Sequence, residues 1–241
     1  MKKIFVILAC VVLMASFVSR QASADTTALA LVIDVSGSIS DSEYDLQKQG
    51  YANAINNLIP TNSTLALSVI EFGANNAVKI NWTVMDSAAT KATFITDLNN
   101  LTRSGINTGA TAIGDAISAA NVYFNSLAGS WDHYVIDVST DGQNNSGSNP
   151  VTAAQNAVNA GLADVINALG VGTAVPPNFN YGTNYDGSPS FSILTPNFAA
   201  FQSAVEDKFR REIQGVPEPI SLILLGSSLA GLALVSRRRR N

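Results

Sequence analysis

Residues Thr27–Asp34 read TALALVID, a nearly unbroken apolar run that ends on a carboxylate. A strand with one wet face alternates polar and apolar residues. One without alternation has to be covered on both faces, as in a parallel sheet held between helix layers. The rest of the chain supplies the matching parts. Leu65–Phe72 is a second such strand, and 77–84 is a third at an edge, joined to it by the short turn 73–76. Further strands are expected at 134–139, 164–169 and 191–194. Between them lie helical patterns. In Asp41–Leu58, Tyr44, Gln47 or Lys48, Tyr51, Ile55 and Leu58 recur at helical spacing after a Ser40 or Asp41 cap, with Glu43 in the first turn and Gly50 weakening the interior. Residues 89–101 and 111–127 follow, the latter with Ile113, Ala116, Ile117, Ala120 and Phe124 on one face. Pro150 can start a helix over 150–160, and 197–213 repeats Phe198, Phe201, Val205 and Phe209 on one side. Strands separated by helices predict a single α/β domain, a doubly wound, mostly parallel six-stranded sheet with helices on both faces. The longest irregular stretch is 172–190.

The two ends of the 241-residue chain differ from this body. Lys2-Lys3, an apolar run from Ile4 to Val18 and Ala22-Ser23-Ala24 form the pattern of a secretory signal, with cleavage expected after Ala24. At the other end, Val216-Pro217-Glu218-Pro219 precedes 16 apolar residues, 220–235, and then Arg237 to Arg240. At 1.5 Å per residue that run is about 24 Å long, close to the ~30 Å of a hydrocarbon core, and arginine snorkelling can make up the difference. A C-terminal transmembrane helix is therefore expected, with the arginines cytoplasmic and the domain outside. The tail also resembles the PEP-CTERM sorting signal of exported bacterial proteins. That resemblance implies recognition by a membrane-embedded exosortase, which cleaves the tail, and a final location at the cell surface or in the extracellular matrix. The expected organisation is a signal over 1–24, a domain over 25–215 and a sorting signal over 216–241.

Charge and residue counts narrow the chemistry. Between the two ends, residues 25–236 carry 7 basic and 18 acidic side chains, a net of −11. Such a body is unsuited to nucleic acid and better suited to divalent cations. The single cysteine, Cys10, lies in the first apolar run, and His133 is the one histidine. Disulfide frameworks, thiolate zinc sites and multi-histidine centres are excluded.

Three segments should reach the carboxyl end of the sheet carrying oxygen donors: Asp34-Val35-Ser36-Gly37-Ser38, Gly109-Ala110-Thr111 and Thr140-Asp141-Gly142. Leaving Thr140 aside, they offer two carboxylates and three hydroxyls, a set that hard cations such as Mg²⁺ favour. Gly37 lets the first loop turn tightly enough for Ser36 and Ser38 to converge. These segments resemble the metal-ion-dependent adhesion site (MIDAS) of von Willebrand factor type A (vWA) domains. Asp34, Ser36 and Ser38 match its DxSxS pattern, Thr111 its distal threonine and Asp141 its late aspartate, within a resemblance that covers about residues 27–213. The resemblance implies a vWA fold, related to the Rossmann type. It also implies a bound Mg²⁺, Mn²⁺ or Ca²⁺ held directly by Ser36, Ser38 and Thr111 and mainly through water by Asp34 and Asp141, with one position open for an acidic group of a partner. The expected function is an exported binding or adhesion module for a protein or acidic polysaccharide. The alternatives are a structural matrix protein whose site does not function, and a metal-assisted hydrolase.

Other residues are open in role. Asp137, if buried, needs a partner; it stands either behind the metal site or at a neighbouring loop. Glu71 either approaches the site rim or makes a structural hydrogen bond. His133 and Ser139 lie at opposite ends of one strand, about 20 Å apart, which defeats a catalytic triad. No catalytic residue is expected. Trp82 and Trp131 serve as a contact surface or as cover for the sheet, and Asn62, Asn81, Asn100 and Asn144 match the N-x-[ST] pattern by chance.

Overall fold

The computed structural model describes residues 25–159, 162–173 and 190–214. The expected signal, most of the 172–190 loop and the tail lie outside the described residues. The strands are β1 (Thr27–Asp34), β2 (Leu65–Phe72), β3 (Asn76–Val84), β4 (His133–Thr140), β5 (Val165–Val171) and β6 (Ser192–Thr195). The helices are α1 (Asp41–Leu58), α2 (Ala88–Asn99), α3 (Ile113–Tyr123), α4 (Pro150–Asn159) and α5 (Phe201–Gln214). One sheet holds all six strands in the order β3-β2-β1-β4-β5-β6, and every pairing is parallel except β2 with β3.

β1 occupies the middle, and all eight of its residues are buried. Its two faces differ in size. Leu29, Leu31 and Ile33 pack towards Tyr51 and Ile55 of α1, Phe94 and Leu98 of α2, and Phe201, Val205 and Phe209 of α5. Ala28, Ala30 and Val32 face Ile113, Ala116 and Ala120 of α3 and Ala153, Ala154 and Ala157 of α4. Large residues contribute roughly 1.5–3 kcal/mol each when fully buried, so the first layer carries more of the hydrophobic stabilisation. The alanine seam on the second layer lets α3 approach the strands closely.

Local sequence explains the boundaries. Ser40 caps α1 in a capping box: its hydroxyl accepts the Glu43 N–H while the Glu43 carboxylate accepts the Ser40 N–H at 2.9 Å. Gly50, expected only to weaken α1, sits where α5 crosses it. A Cβ there would lie 2.7 Å from the Phe201 ring. The helix expected over 111–127 begins at Ile113 and tightens to a 3₁₀ turn at Phe124–Ser126. Ala112, at φ −106° and ψ 66°, is not helical. Trp82 covers the sheet edge, stacking on Tyr123 and Phe124 with ring centroids 5.7 and 5.4 Å away.

Candidate metal centre

Parallel pairing sets the carboxyl ends of β1 and β4 side by side, so the segments leaving them start at one rim of the sheet. Asp34 closes β1 and Thr140 closes β4, and the Thr140 hydroxyl donates to Asp34 Oδ2 at 2.5 Å. Asp34 Oδ1 accepts the Ser36 N–H at 2.8 Å. The Ser36 and Ser38 hydroxyls are 3.2 Å apart, and Ser38 Oγ donates to Asp141 Oδ1 at 2.8 Å. Asp34, Ser36, Ser38 and Asp141 thus form one hydrogen-bonded chain.

Thr111 is tied to the third loop through its backbone, not to the four residues of that chain. Its N–H donates to Asn145 Oδ1 at 2.8 Å, and its carbonyl accepts the Asn145 N–H at 3.0 Å. The Gly37 N–H closes the remaining side by donating to Thr108 O at 2.7 Å. A Cβ on Gly37 would lie 3.1 Å from that same oxygen, a tight contact that would push on the second loop by a few tenths of an ångström. The three loops are therefore tied pairwise into a closed ring: first to second at Gly37, second to third at Asn145, third to first at Asp141.

Several residues that hold this ring were not singled out from sequence. Thr140, set aside as a donor, anchors Asp34. Asn75 Oδ1 accepts the Asn107 N–H at 2.6 Å and Asn107 Oδ1 the Gly109 N–H at 3.0 Å, bracing the second loop. Asn144 Oδ1 accepts the Gly114 N–H at 3.3 Å, and Gln47 Nε2 donates to the Asp34 carbonyl at 3.2 Å. The available signal was the density of asparagine between elements, since short amide side chains satisfy backbone groups that loops leave unpaired.

Asp34 is fully buried, and burial pushes its carboxyl up to about 6, with a further push from Asp141 and against the hydrogen bonds from Thr140 and Ser36. Burial also raises Asp141, against the bond from Ser38. Both shifts mark negative charge held without full compensation, the condition a cation relieves. Among the described residues, no three His, Cys, Asp or Glu side chains are grouped to hold a metal. A cation at this ring would rely on hydroxyls as well as the two carboxylates. The two carboxylates and the two serine hydroxyls that the structure links are all oxygen donors, the chemistry a hard divalent ion takes.

Residues 24–217 match the family described as "Protein of unknown function (DUF1194)". The chain belongs to the DUF1194 family. Residues 215–240 match the PEP-CTERM protein-sorting motif, so this DUF1194 chain is exported and membrane-anchored before sorting to the cell surface or extracellular matrix. No curated protein matches it. In fold, the DUF1194 domain is similar to proximal thread matrix protein 1 of the mussel byssus, at 26% identity and a TM-score of 0.61 over 76% of this chain and 45% of that one. A form of that protein with a zinc-occupied MIDAS motif aligns at 23% identity and a TM-score of 0.58 over 77% of this chain and 46% of that one. A von Willebrand factor type A protein from Catenulispora acidiphila aligns at 15% identity and a TM-score of 0.61, over 78% of this chain and 43% of that one. The DUF1194 chain spans less than half the length of these proteins, and the fold is of the vWA type.

Neither Asp137 nor Glu71 of the DUF1194 domain is bonded into the ring. Asp137 meets Lys208 and accepts the Tyr51 hydroxyl at 3.2 Å. Glu71 accepts the Tyr44 hydroxyl and faces Lys79 Nζ at 3.5 Å. His133 opens β4, at the far end from the ring, with Nε2 3.7 Å from Asp25.

Proposed function

We propose that the DUF1194 domain is a surface-displayed binding module that recognises an acidic group of a protein or polysaccharide through a divalent cation at Asp34, Ser36, Ser38, Thr111 and Asp141. The closed ring of three loops carries this reading. Supporting it are the hydrogen bonds that link Asp34, Ser36, Ser38 and Asp141, the first through the Ser36 backbone N–H, and the backbone bond that ties Thr111 to Asn145 of the third loop. When bound, the ion supplies an electrophilic charge that an external carboxylate can meet. The chain does the rest. Asp34 is fixed by Thr140 and the Ser36 N–H, so its charge stays at the rim. Ser36, Ser38 and Thr111 contribute neutral oxygens and leave much of the ion's charge for a partner. The matrix-protein likeness and the sorting motif both favour a role outside the cell over turnover of a substrate. Hydrolysis also requires a general base placed at the reacting water, and His133 stands at the wrong end of β4.

The test is calorimetry with Mg²⁺, Mn²⁺ and Ca²⁺ on wild type and Asp34→Ala, followed by capture of envelope extract in Mg²⁺ or EDTA. Metal binding lost in D34A, with capture lost in EDTA, is expected. Equal capture with and without metal returns the protein to the structural class.

A further inference from the structure

On the α1/α5 face of the sheet, away from the cation ring, three ionisable side chains share one dry place. Lys208 and Asp137 are both fully buried, and the Glu212 side chain is 1% exposed. Asp137 is in the middle of β4, paired with Leu31 on one side and Asn167 on the other. Lys208 and Glu212 are one turn apart on α5. Lys208 Nζ touches Asp137 Oδ1 and lies 3.7 Å from Glu212 Oε1. The aromatic rings of Tyr51, Phe201 and Phe209 are all fully buried, and Tyr51 packs on both phenylalanines.

A buried ion pair is ordinarily held by hydrogen bonds to the spare oxygens and protons. Here that support is incomplete. Lys208 Nζ has no partner in hydrogen-bond geometry, and Asp137 Oδ2 and Glu212 Oε2 have none either. The groups that are satisfied point to a particular arrangement. Tyr51 donates to Asp137 Oδ1, and Asn167 Nδ2 donates to Glu212 Oε1 at 2.9 Å. One carboxylate oxygen of Asp137 is thus held as a carbonyl would be, the other has no hydrogen-bond partner, and the Lys208 amine is in contact with the held oxygen of that same carboxyl group.

We propose that Lys208 and Asp137 condense into an intramolecular isopeptide bond, with Glu212 as the proton carrier. In the dry interior the ammonium passes a proton to Asp137 Oδ2, giving a neutral amine and a carboxylic acid. The Nζ lone pair attacks Cγ, forming the C–N bond, while Tyr51 stabilises the charge developing on Oδ1. The surplus proton on Nζ moves to one oxygen of Glu212, and the other oxygen returns a proton to the departing hydroxyl. The Cγ–Oδ2 bond breaks and one water leaves. No oxidant or co-reactant is consumed, and Glu212 ends as it began. Burial, first of all, together with the neighbouring Asp137 charge, raises the Glu212 carboxyl well above its ordinary range, the direction that favours the protonated form this relay starts from. The product replaces two buried charges and two orphan atoms with one amide, whose oxygen keeps the Tyr51 bond.

The bond is independent of the cation ring, and its test needs no metal. The full-length folded chain is denatured and cut after glutamate. Asp137 lies in the fragment 72–206, and Lys208 in the next fragment, which begins at Asp207. Wild type should yield these two joined, one water lighter than their sum, and Lys208→Arg should yield them separate. Glu212→Gln, with an unchanged circular dichroism spectrum, should form the joined species about a hundredfold more slowly. Separate fragments from folded wild type would overturn the bond and leave an ordinary buried ion pair. Joining in E212Q at the wild-type rate would overturn the assignment of Glu212.

Discussion

Replacing Gly114 with alanine sets two effects of opposite sign against each other. Gly114 is the second residue of α3, where a glycine-to-alanine change on propensity alone stabilises by at most the about 1 kcal/mol of a helix interior. The structure opposes this. A Cβ at Gly114 would lie 2.1 Å from Ser148 O, 2.7 Å from Ser148 C and 3.0 Å from Asn149 C. These are backbone atoms, and carbon contacts relax only near ~3.5 Å, so the 144–149 segment must retreat by roughly 1 Å. That segment is held by Ser148 N–H to Asp115 Oδ1 at 2.9 Å, Asn144 Nδ2 to Ser148 O at 3.2 Å and Gly114 N–H to Asn144 Oδ1 at 3.3 Å. Losing two of these bonds costs about 2 kcal/mol, and overpacking adds about 1–3 kcal/mol. Against the propensity gain, a net loss of about 2 kcal/mol or more is expected, a drop in Tm of at least about 4–8 °C for a domain of this size. The displaced segment also carries Asn145 and follows Asp141, so Mg²⁺ affinity should fall in the same variant. Thermal melts followed by circular dichroism, with and without Mg²⁺, decide the matter. A Tm equal to or above wild type would refute the clash argument and leave propensity in control.

Mg²⁺ should raise the melting temperature of wild type by mass action, by the equivalent of about 2.7 kcal/mol at a hundred times Kd, and leave Asp34→Ala unchanged; an equal rise in both would place the ion elsewhere. Glu71 holds its proton to higher pH in the folded state because burial raises it. Wild-type stability contributed by this group therefore falls as pH climbs from the unfolded carboxyl value near 4.3 through the folded one, and Glu71→Gln should gain on wild type in urea titrations as pH rises above about 4.3. A constant difference across that range would contradict the shift. In its native host the mature protein should lack Arg237 to Arg240, cut beside Pro217-Glu218-Pro219; an intact mass that includes the arginines would mean a permanent anchor.

The sheet was readable because its signals are local. Thr27–Asp34 declares a doubly covered strand by lacking alternation, and the cap of α1 narrows to Ser40 or Asp41, of which the structure uses Ser40 with Glu43. The start of α3 was misjudged because Thr111 gives its N–H to Asn145, a partner 34 residues away that no local pattern reveals. Gly50 read as a weakness, yet it is the notch that Phe201 fills, and only the crossing of α5 over α1 makes that visible. The residues proposed to hold a cation could be named from residue type, position after strands and likeness to the vWA pattern. The asparagines that fasten them could not, since their partners are backbone atoms of other loops. Asp137 was legible only as a burial problem. Its partner Lys208 follows 71 residues later on another element, where it reads as one more charge on an amphipathic helix.

The two helices that cross at Gly50 run the same way. Asn53 bonds Gln202 and Asn57 bonds Glu206, so α5 advances as α1 does. α1 leaves the loop that holds Ser36 and Ser38, and both helices descend from that rim. Over 14 residues α5 travels about 21 Å towards the opposite pole. Gln214 ends there, and the sorting motif starts at the next residue. The described domain therefore ends at the pole opposite the ring, so the chain is handed to its sorting motif from the face that carries none of the three loops.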